Sequence, residues 1–198
     1  MIVGYHVSFS AYGFWLPNDP RGSWSDFVGK WELYRAAGKA TKTTETKSLA
    51  RRQHDRSLRL AAKRELDRAP VRFTAEQISS IGQAFGAYVA TSELSVWACA
   101  IMPDHVHLVF APHRLEPKEL VIKLKSAATS RLVEEGIHPF QHLKLANGPP
   151  PKCFAQGEWV IFIDPEDVAW HVEYVENNPI KAGLARQEWD FVKRPELK

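Results

Sequence analysis

Four short stretches of the chain are rich in apolar and aromatic residues and predict β-strands. The first, residues 2–12, alternates loosely between apolar and polar positions. Residues 95–100 and 106–111 form two further apolar runs, and the Pro-Asp step between them predicts a hairpin or short break between antiparallel strands. Residues 157–163 form the fourth predicted strand.

Helical spacing of apolar residues appears between these strands. It predicts a basic helix over residues 49–66, a second over 74–92, a third over 116–135 and a fourth that follows residue 164. Strands interleaved with helices, and joined partly by hairpins, predict the α+β class with a mainly antiparallel sheet.

Polar residues and prolines mark the ends of two of these helices. Thr74 and Gln77 have the spacing of a capping box, and Asp164 followed by Pro165 is typical of a helix start. Pro179 restricts the residue before it, so the last helix is expected to end near that position.

The composition agrees with one folded domain. A chain of 198 residues with 44% hydrophobic residues is long enough to bury a core without disulfides or metals. Cys99 and Cys153 lie in apolar stretches and are expected to be reduced and buried. No apolar run approaches the roughly 18 residues of a membrane helix, and the N-terminus has no signal-peptide pattern. We therefore expect a cytoplasmic protein with no membrane partner, folded as a single domain over residues 1–198.

The small net charge of +3 hides an uneven distribution. Residues 35–72 contain twelve Lys or Arg and four acids, which gives +8, whereas the rest of the chain carries −5. A basic segment of this size suits a polyanion, since phosphate contacts release counterions. A solvated helix with internal ion pairs explains the same pattern and remains open. We interpret the segment as a basic helical insertion within the single domain.

Two histidines stand two residues apart at the start of the third predicted strand. Side chains at this spacing project from the same face, so His105 and His107 point one way while Val106 enters the core. Two neutral imidazoles on a rigid strand can supply adjacent ligands to a divalent metal. A pair of ordinary surface histidines would have the same spacing, and the pattern alone does not separate the two.

A tyrosine and an asparagine share one face of the last predicted helix. Tyr174 and Asn178 are four residues apart, or about 6 Å along the helix axis. A tyrosine oxygen can act as a covalent nucleophile when a metal polarises the electrophile. The alternative is a core-edge aromatic residue followed by a helix stop, which this pair alone does not exclude.

Taken together, these motifs resemble the HUH single-tyrosine transposases, and in particular the REP-associated tyrosine transposase branch. The resemblance rests on residues 102–108 (MPDHVHL), on residues 174–184 (YVENNPIKAGL) and on the N-terminal loop at residues 12–22 (YGFWLPNDPRG). That branch often has glycine where Asn18 stands here. The resemblance implies a central antiparallel sheet of about four or five strands with helices packed on one face, the HUH nuclease fold with its ferredoxin-like or RRM-like core.

The resemblance also implies roles for individual residues. His105, His107 and Asn178 would bind Mg²⁺ or Mn²⁺, and Tyr174 would attack a phosphate in single-stranded DNA, leaving a 5′-phosphotyrosine and a free 3′-OH. The expected activity is cleavage and rejoining of hairpin DNA that carries repeat-element sequence, as in the transposition of such elements.

Hairpin binding requires phosphate contacts and stacking on splayed bases. Candidate DNA-binding residues lie in the N-terminal loop, in the basic segment and on the helix after the histidine strand: Trp15, Arg21, Arg51, Arg52, Arg56, Arg59, Lys123, Lys125 and Arg131. Each of them is also compatible with ordinary surface charge or packing.

Two other functions remain open at this point. A non-catalytic or domesticated hairpin-binding protein would keep the same fold, and a metal-dependent hydrolase would use the histidine pair with water while Tyr174 is structural. The sequence is compatible with a monomer and with a homodimer, and it does not fix the DNA sequence recognised.

Overall fold

Four strands form one antiparallel sheet in a computed structural model that describes residues 1–45, 49–143 and 148–195. They are β1 (Gly4–Ser10), β2 (Val96–Ile101), β3 (His105–Phe110) and β4 (Trp159–Ile163), in the spatial order β2-β3-β1-β4. The central pair, β1 and β3, aligns Ser8 with His107 and Ser10 with His105. The histidine strand therefore lies in the interior of the sheet.

Five α-helices accompany the sheet in the described residues. They are α1 (Trp31–Ala37), α2 (Arg56–Arg64), α3 (Ala75–Ser92), α4 (Pro117–Glu134) and α5 (Val168–Lys181). Short 3-10 turns at Gln141–Leu143 and Pro165–Asp167 complete the described elements. The α+β class predicted from the sequence is confirmed.

The chain divides into two compact units. One contains Met1–Tyr12 and Val71–Lys198, and therefore the whole sheet with α3, α4 and α5. The other is Gly13–Pro70, in which α1 and α2 pack around a small core of Leu33, Ala37 and Ala62. The basic segment predicted as an insertion lies almost entirely in this second unit, and a single domain over the whole chain stays a prediction.

Helices cover both faces of the sheet. Phe9 of β1 contacts Phe85 of α3 with ring centroids 6.5 Å apart, which places α3 on the face opposite to the histidines, and α4 packs against α3. On the histidine face, α5 contributes Val168, Val172 and Val175 to a core with Ala98 and Val109. The predicted arrangement with helices on one face thus holds for α3 and α4 only, because α5 has its own apolar stripe that must be buried.

Local end signals explain the starts of α3 and α2. The Thr74 side chain accepts from the Gln77 amide at 3.2 Å and the Gln77 side chain accepts from the Thr74 amide at 2.9 Å, so the predicted capping box is confirmed. The basic helix begins at Arg56 instead of residue 49, because the Asp55 side chain caps it by accepting from the amides of Ser57 and Leu58.

The last helix differs from its prediction at its start and ends near the expected position. Asp164 makes no side-chain cap, and the 3-10 turn that it precedes leads into α5. Pro179 lies inside the last turn of α5, which ends at Lys181. Proline at this point forfeits one hydrogen bond of the last turn, which is tolerated because the helix ends two residues later. Gly183, with φ of +75°, then adopts the left-handed conformation that closes the helix.

Both cysteines are buried and unpaired, in agreement with the sequence. No helix in the described part of the chain is long and apolar enough to cross a membrane.

Candidate active site

The His105–His107 pair projects from the face of the sheet that α5 covers. The two rings lie with centroids 4.8 Å apart and nearly perpendicular, and Val106 between them is fully buried on the opposite side. Strand alternation thus produces the arrangement expected from the spacing.

Each of the two imidazoles has its Nδ1 atom engaged. His105 Nδ1 lies 2.7 Å from Asp104 Oδ1, and His107 Nδ1 lies 3.0 Å from Nε2 of His6 on β1. Partners of this kind hold the ring orientation of metal-binding histidines. The Nε2 atom of each ring is consequently the one that a metal would meet.

Tyr174 lies on α5 directly beside the histidine pair. Its ring centroid is 5.8 Å from that of His107 and 5.7 Å from that of His6. Trp170, one turn earlier on α5, stacks on the tyrosine ring at 5.3 Å and 20°. The Nζ atom of Lys181 lies 5.6 Å from the centre of the same ring. The tyrosine ring is therefore held between an aromatic neighbour, a cation and the histidines.

Asn178 lies one turn after Tyr174 on the same helix. Its Nδ2 donates to the backbone carbonyl of Tyr174 at 2.9 Å, which assigns the amide orientation and leaves Oδ1 as the atom with free lone pairs. Two imidazole nitrogens and one amide oxygen are chemically suited to a divalent ion, and this donor set carries no charge of its own. Among the residues that the structure describes, no three His, Cys, Asp or Glu side chains form a group that could hold a metal. The predicted ligands His105, His107 and Asn178 do not form such a group because Asn178 is an amide.

Burial lowers the pKa of three histidines on this face, His6, His107 and His171. Burial, with a smaller contribution from His171, lowers the pKa of His6 to about 3. Burial and the neighbouring His105 and His6 also hold the pKa of His107 well below its usual range. The pKa of His171 is lowered by burial, against the opposing effect of Asp167. At neutral pH these rings are uncharged, the state in which imidazole can bind a metal.

These lowered pKa values predict that the fold loses stability on mild acidification. The unfolded chain protonates these histidines near pH 6.5, whereas the folded His6 does so only near pH 3, so the unfolded state binds more protons in between. His6 alone should lower the free energy of unfolding by about 2 kcal/mol between pH 7.5 and pH 5. Urea unfolding at the two pH values measures the loss, and His6→Phe should reduce it. An equal stability at both values would contradict the prediction.

The three basic residues predicted on α4 lie on the opposite side of the sheet from the histidine pair. Lys125 donates to the carbonyls of Ala155 at 3.0 Å and Gly157 at 2.7 Å, and burial lowers its pKa to about 8. Arg131 contacts Gln83 and Glu135, whereas Lys123 is exposed. Lys125 and Arg131 therefore have partners within the protein, and Lys123 is the most accessible of the three. DNA binding by α4 stays a prediction.

The N-terminal loop holds Trp15 and Arg21 against each other. The Arg21 guanidinium forms two hydrogen bonds to Asp19, at 2.8 and 2.7 Å, and lies 4.0 Å from the centre of the Trp15 ring. Its side chain is only 11% exposed. This geometry supports a role in ordering the loop, and the DNA contacts expected from both residues are untested.

The four arginines predicted to bind DNA in the basic segment lie at the start of α2 and in the turn before it. Arg52 contacts Glu45 and the backbone carbonyl of Arg21, both at 3.3 Å. Arg51 and Arg56 are exposed, and Arg59 is half-buried. These residues are called the arginine quartet below: Arg51, Arg52, Arg56 and Arg59. The structure leaves their positive charge largely at the surface of the second unit.

Several residues of the site were not found from the sequence. His171 and Trp170 precede Tyr174 by three and four positions on α5, a spacing that could have placed them beside the tyrosine. Asp104 adjoins the histidine pair directly in sequence. His6 carried no local signal, because only the β1–β3 pairing brings it to His107.

Comparison with known proteins identifies the family. The family model described as "Transposase IS200 like" matches residues 66–178, more than half of the chain, and this span contains the histidine pair, Tyr174 and Asn178. No curated protein sequence matches the chain. One solved structure, described as a REP-associated tyrosine transposase bound to a REP hairpin, is 12% identical with a TM-score of 0.47, over 92% of this chain and 70% of that one. Another, from Deinococcus radiodurans R1 and described as a transposase, is 16% identical with a TM-score of 0.39, over 89% and 91% of the two chains. These two likenesses are too low to add to the assignment, which rests on the family match: the chain belongs to the IS200-like transposase family.

Proposed function

We propose that this transposase cleaves and rejoins single-stranded hairpin DNA through a covalent 5′-phosphotyrosine at Tyr174. The observation that carries the proposal is the position of the Tyr174 ring, 5.8 Å from the ring of His107 on the face that presents both histidines. A candidate nucleophile and a candidate metal site thus lie side by side on this face. His105, His107 and Asn178 are the proposed ligands of Mg²⁺ or Mn²⁺.

The proposed reaction is a pair of transesterifications. The Tyr174 oxygen forms a bond to the scissile phosphorus, and the bond to the 3′ oxygen breaks. Tyr174 loses its proton, and the leaving oxygen gains one and becomes a free 3′-OH. In the second step a 3′-OH attacks the phosphotyrosine and restores the tyrosine. One phosphodiester is exchanged for another at each step, so rejoining requires no ATP.

The chain's own residues orient this reaction. Asp104 and His6 hold the two imidazoles through their Nδ1 atoms, and the Trp170 ring limits rotation of the tyrosine ring that it stacks on. The Nζ atom of Lys181 lies 5.6 Å from the centre of the Tyr174 ring, where its positive charge would favour a bound phosphate. A divalent ion, when bound, would offset negative charge that develops on the phosphate oxygens.

The arginine quartet supports a DNA partner and makes a separate prediction. Replacing its four members by Gln should weaken hairpin binding and flatten its salt dependence by about 3 in the slope of log K against log salt, since each single-strand phosphate contact contributes about 0.7. The covalent chemistry at saturating DNA should persist. Fluorescence anisotropy over a range of salt concentrations measures the slope.

A control variant removes the same amount of charge elsewhere, at Arg114, Lys118, Lys152 and Lys193. It should change the slope less than the quartet variant does. An unchanged slope in the quartet variant would make that segment an ordinary solvated helix.

A labelled hairpin incubated with the protein and Mn²⁺ tests the proposed function. The expected result is a covalent adduct that survives denaturing electrophoresis, requires metal and maps to Tyr174 by mass spectrometry. Metal-dependent cleavage without an adduct would favour a hydrolase in which Tyr174 is structural. Tight binding without cleavage would favour a non-catalytic hairpin-binding protein, the second candidate, which the exposed basic charge of α2 supports independently of the site.

A further inference from the structure

Three imidazoles from three different elements form a continuous chain behind the site. His6 of β1 lies between His107 of β3 and His171 of α5, with Nε2 at 3.0 Å from His107 Nδ1 and Nδ1 at 3.0 Å from His171 Nδ1. His6 and His171 are only 5% and 6% exposed. Both ring nitrogens of His6 are therefore used within the chain, in an interior from which water is largely excluded.

The number of protons in such a chain restricts how it can be arranged. A neutral imidazole has one N–H donor and one acceptor nitrogen, so each contact requires one of each. Only two uncharged arrangements satisfy both contacts. In one, His107 donates from Nδ1 to His6, and His6 donates from Nδ1 to His171. In the other, every bond runs in the reverse direction.

The two arrangements differ at the atom that faces the candidate metal site. When His107 donates from Nδ1, its Nε2 has a free lone pair. In the reverse arrangement Nε2 of His107 carries the proton and cannot bind a metal. The direction of the two hydrogen bonds made by His6 thus decides whether His107 can bind a metal through Nε2.

We propose that His6 is a positioning residue: it accepts from Nδ1 of His107 and donates from its own Nδ1 to His171, so that His107 presents the lone pair of Nε2 to the metal. The role of this lone pair in metal binding rests on the proposed function, whereas the positions of the protons on the three rings do not depend on it.

One neighbouring carboxylate favours this direction. Asp167 precedes His171 by four residues and opposes the lowering of its pKa by burial, so it favours a proton on that ring, and Nε2 is the nitrogen left to carry the proton because Nδ1 faces His6. Asp104 acts in the same sense on the other histidine, since a carboxylate can only accept from Nδ1 of His105. Both members of the pair would then present Nε2 lone pairs on the same side.

The tautomers can be read directly in the metal-free protein. Long-range ¹H–¹⁵N correlation spectra of histidine-labelled protein near pH 7.5 should show Nδ1–H on His107 and His6 and Nε2–H on His171. Single His→Gln variants assign the signals. Nε2–H on His107 in the wild-type protein would overturn the proposal, whatever the protein does with metal or DNA.

Metal affinity provides the second readout. Mn²⁺ binding followed by electron paramagnetic resonance should weaken by about 10- to 100-fold in His6→Phe, which keeps a ring of similar size but removes the acceptor. His6→Gln offers an acceptor oxygen to His107 and should recover much of the loss. His113→Gln, which changes a histidine outside the chain, should bind Mn²⁺ like wild type.

The outcomes separate this inference from the proposed function. Equal affinity of wild type and a folded His6→Phe variant would overturn the positioning role. A wild-type protein that fails to bind Mn²⁺ would contradict the proposed metal site instead, and the tautomer spectra would still decide the direction of the chain. The same spectra decide it if His6→Phe does not fold.

Discussion

Replacing Tyr174 by Phe should abolish the covalent DNA adduct and lower hairpin cleavage by at least about 10³-fold. The substitution removes only the oxygen that would attack phosphorus. The phenyl ring keeps its stack on Trp170 and its contacts with His6 and His107, so the helix and the histidine pair should stay in place. Single-turnover cleavage of a labelled hairpin with Mn²⁺ measures the rate.

Two controls make this experiment specific. Tyr88→Phe removes a hydroxyl from a half-buried tyrosine on α3, on the other side of the sheet, and should cleave at the wild-type rate. Hairpin affinity of Tyr174→Phe should match wild type, since the binding charge is distributed elsewhere. Cleavage that persists in Tyr174→Phe would contradict the tyrosine mechanism and favour attack by water.

The sequence predicted those parts of the fold that depend on signals between near neighbours. The capping box of Thr74 and Gln77 specifies the start of α3, and strand alternation at residues 105–107 specifies the orientation of the histidine pair. Both depend on backbone periodicity within a few residues, which is the same in any tertiary setting. The spacing of Tyr174 and Asn178 predicted their common helix face for the same reason.

Features that depend on long-range packing could not be predicted in this way. His6 meets His107 only because β1 and β3 pair in one particular register, and a shift by one residue would turn His6 to the opposite face. The position of α5 on the histidine face likewise depends on which face α3 and α4 already cover. The short helix α1 had no prediction, since seven residues are too few for a clear helical pattern.

The candidate site and the most basic stretch of the chain belong to different compact units. Burial keeps the rings of His6 and His107 neutral, and the amide of Asn178 carries no charge. The net positive charge belongs to the unit Gly13–Pro70, which has 13 Lys and Arg against 7 acids, whereas the rest of the chain has 13 against 16. A neutral ligand set leaves the full charge of a bound cation available to a phosphate, and DNA affinity can then be altered without changing the reacting groups.

The second large effect is expected from His107→Ala. Removing this side chain should weaken Mn²⁺ binding by more than about 100-fold. Loss of a residue that is hydrogen-bonded to a metal ligand already lowers metal affinity by about 10- to 100-fold, and loss of the ligand itself should cost more. Metal-dependent cleavage should fall with the affinity, whereas hairpin binding in the absence of metal should stay near wild type. Calorimetric titration with Mn²⁺ and anisotropy with labelled hairpin measure the two properties.

The structure predicts a further difference between the two histidines. His107→Ala also leaves Nε2 of buried His6 without its partner, which should cost about 1–3 kcal/mol of unfolding free energy. His105→Ala should lose metal affinity to a similar extent with a smaller effect on stability, since its partner Asp104 is partly exposed and can bind water. Urea unfolding of both variants separates the two effects. Wild-type Mn²⁺ affinity in either folded variant would exclude that histidine as a ligand, and equal losses of stability would contradict the role assigned to His6 as the buried partner of His107.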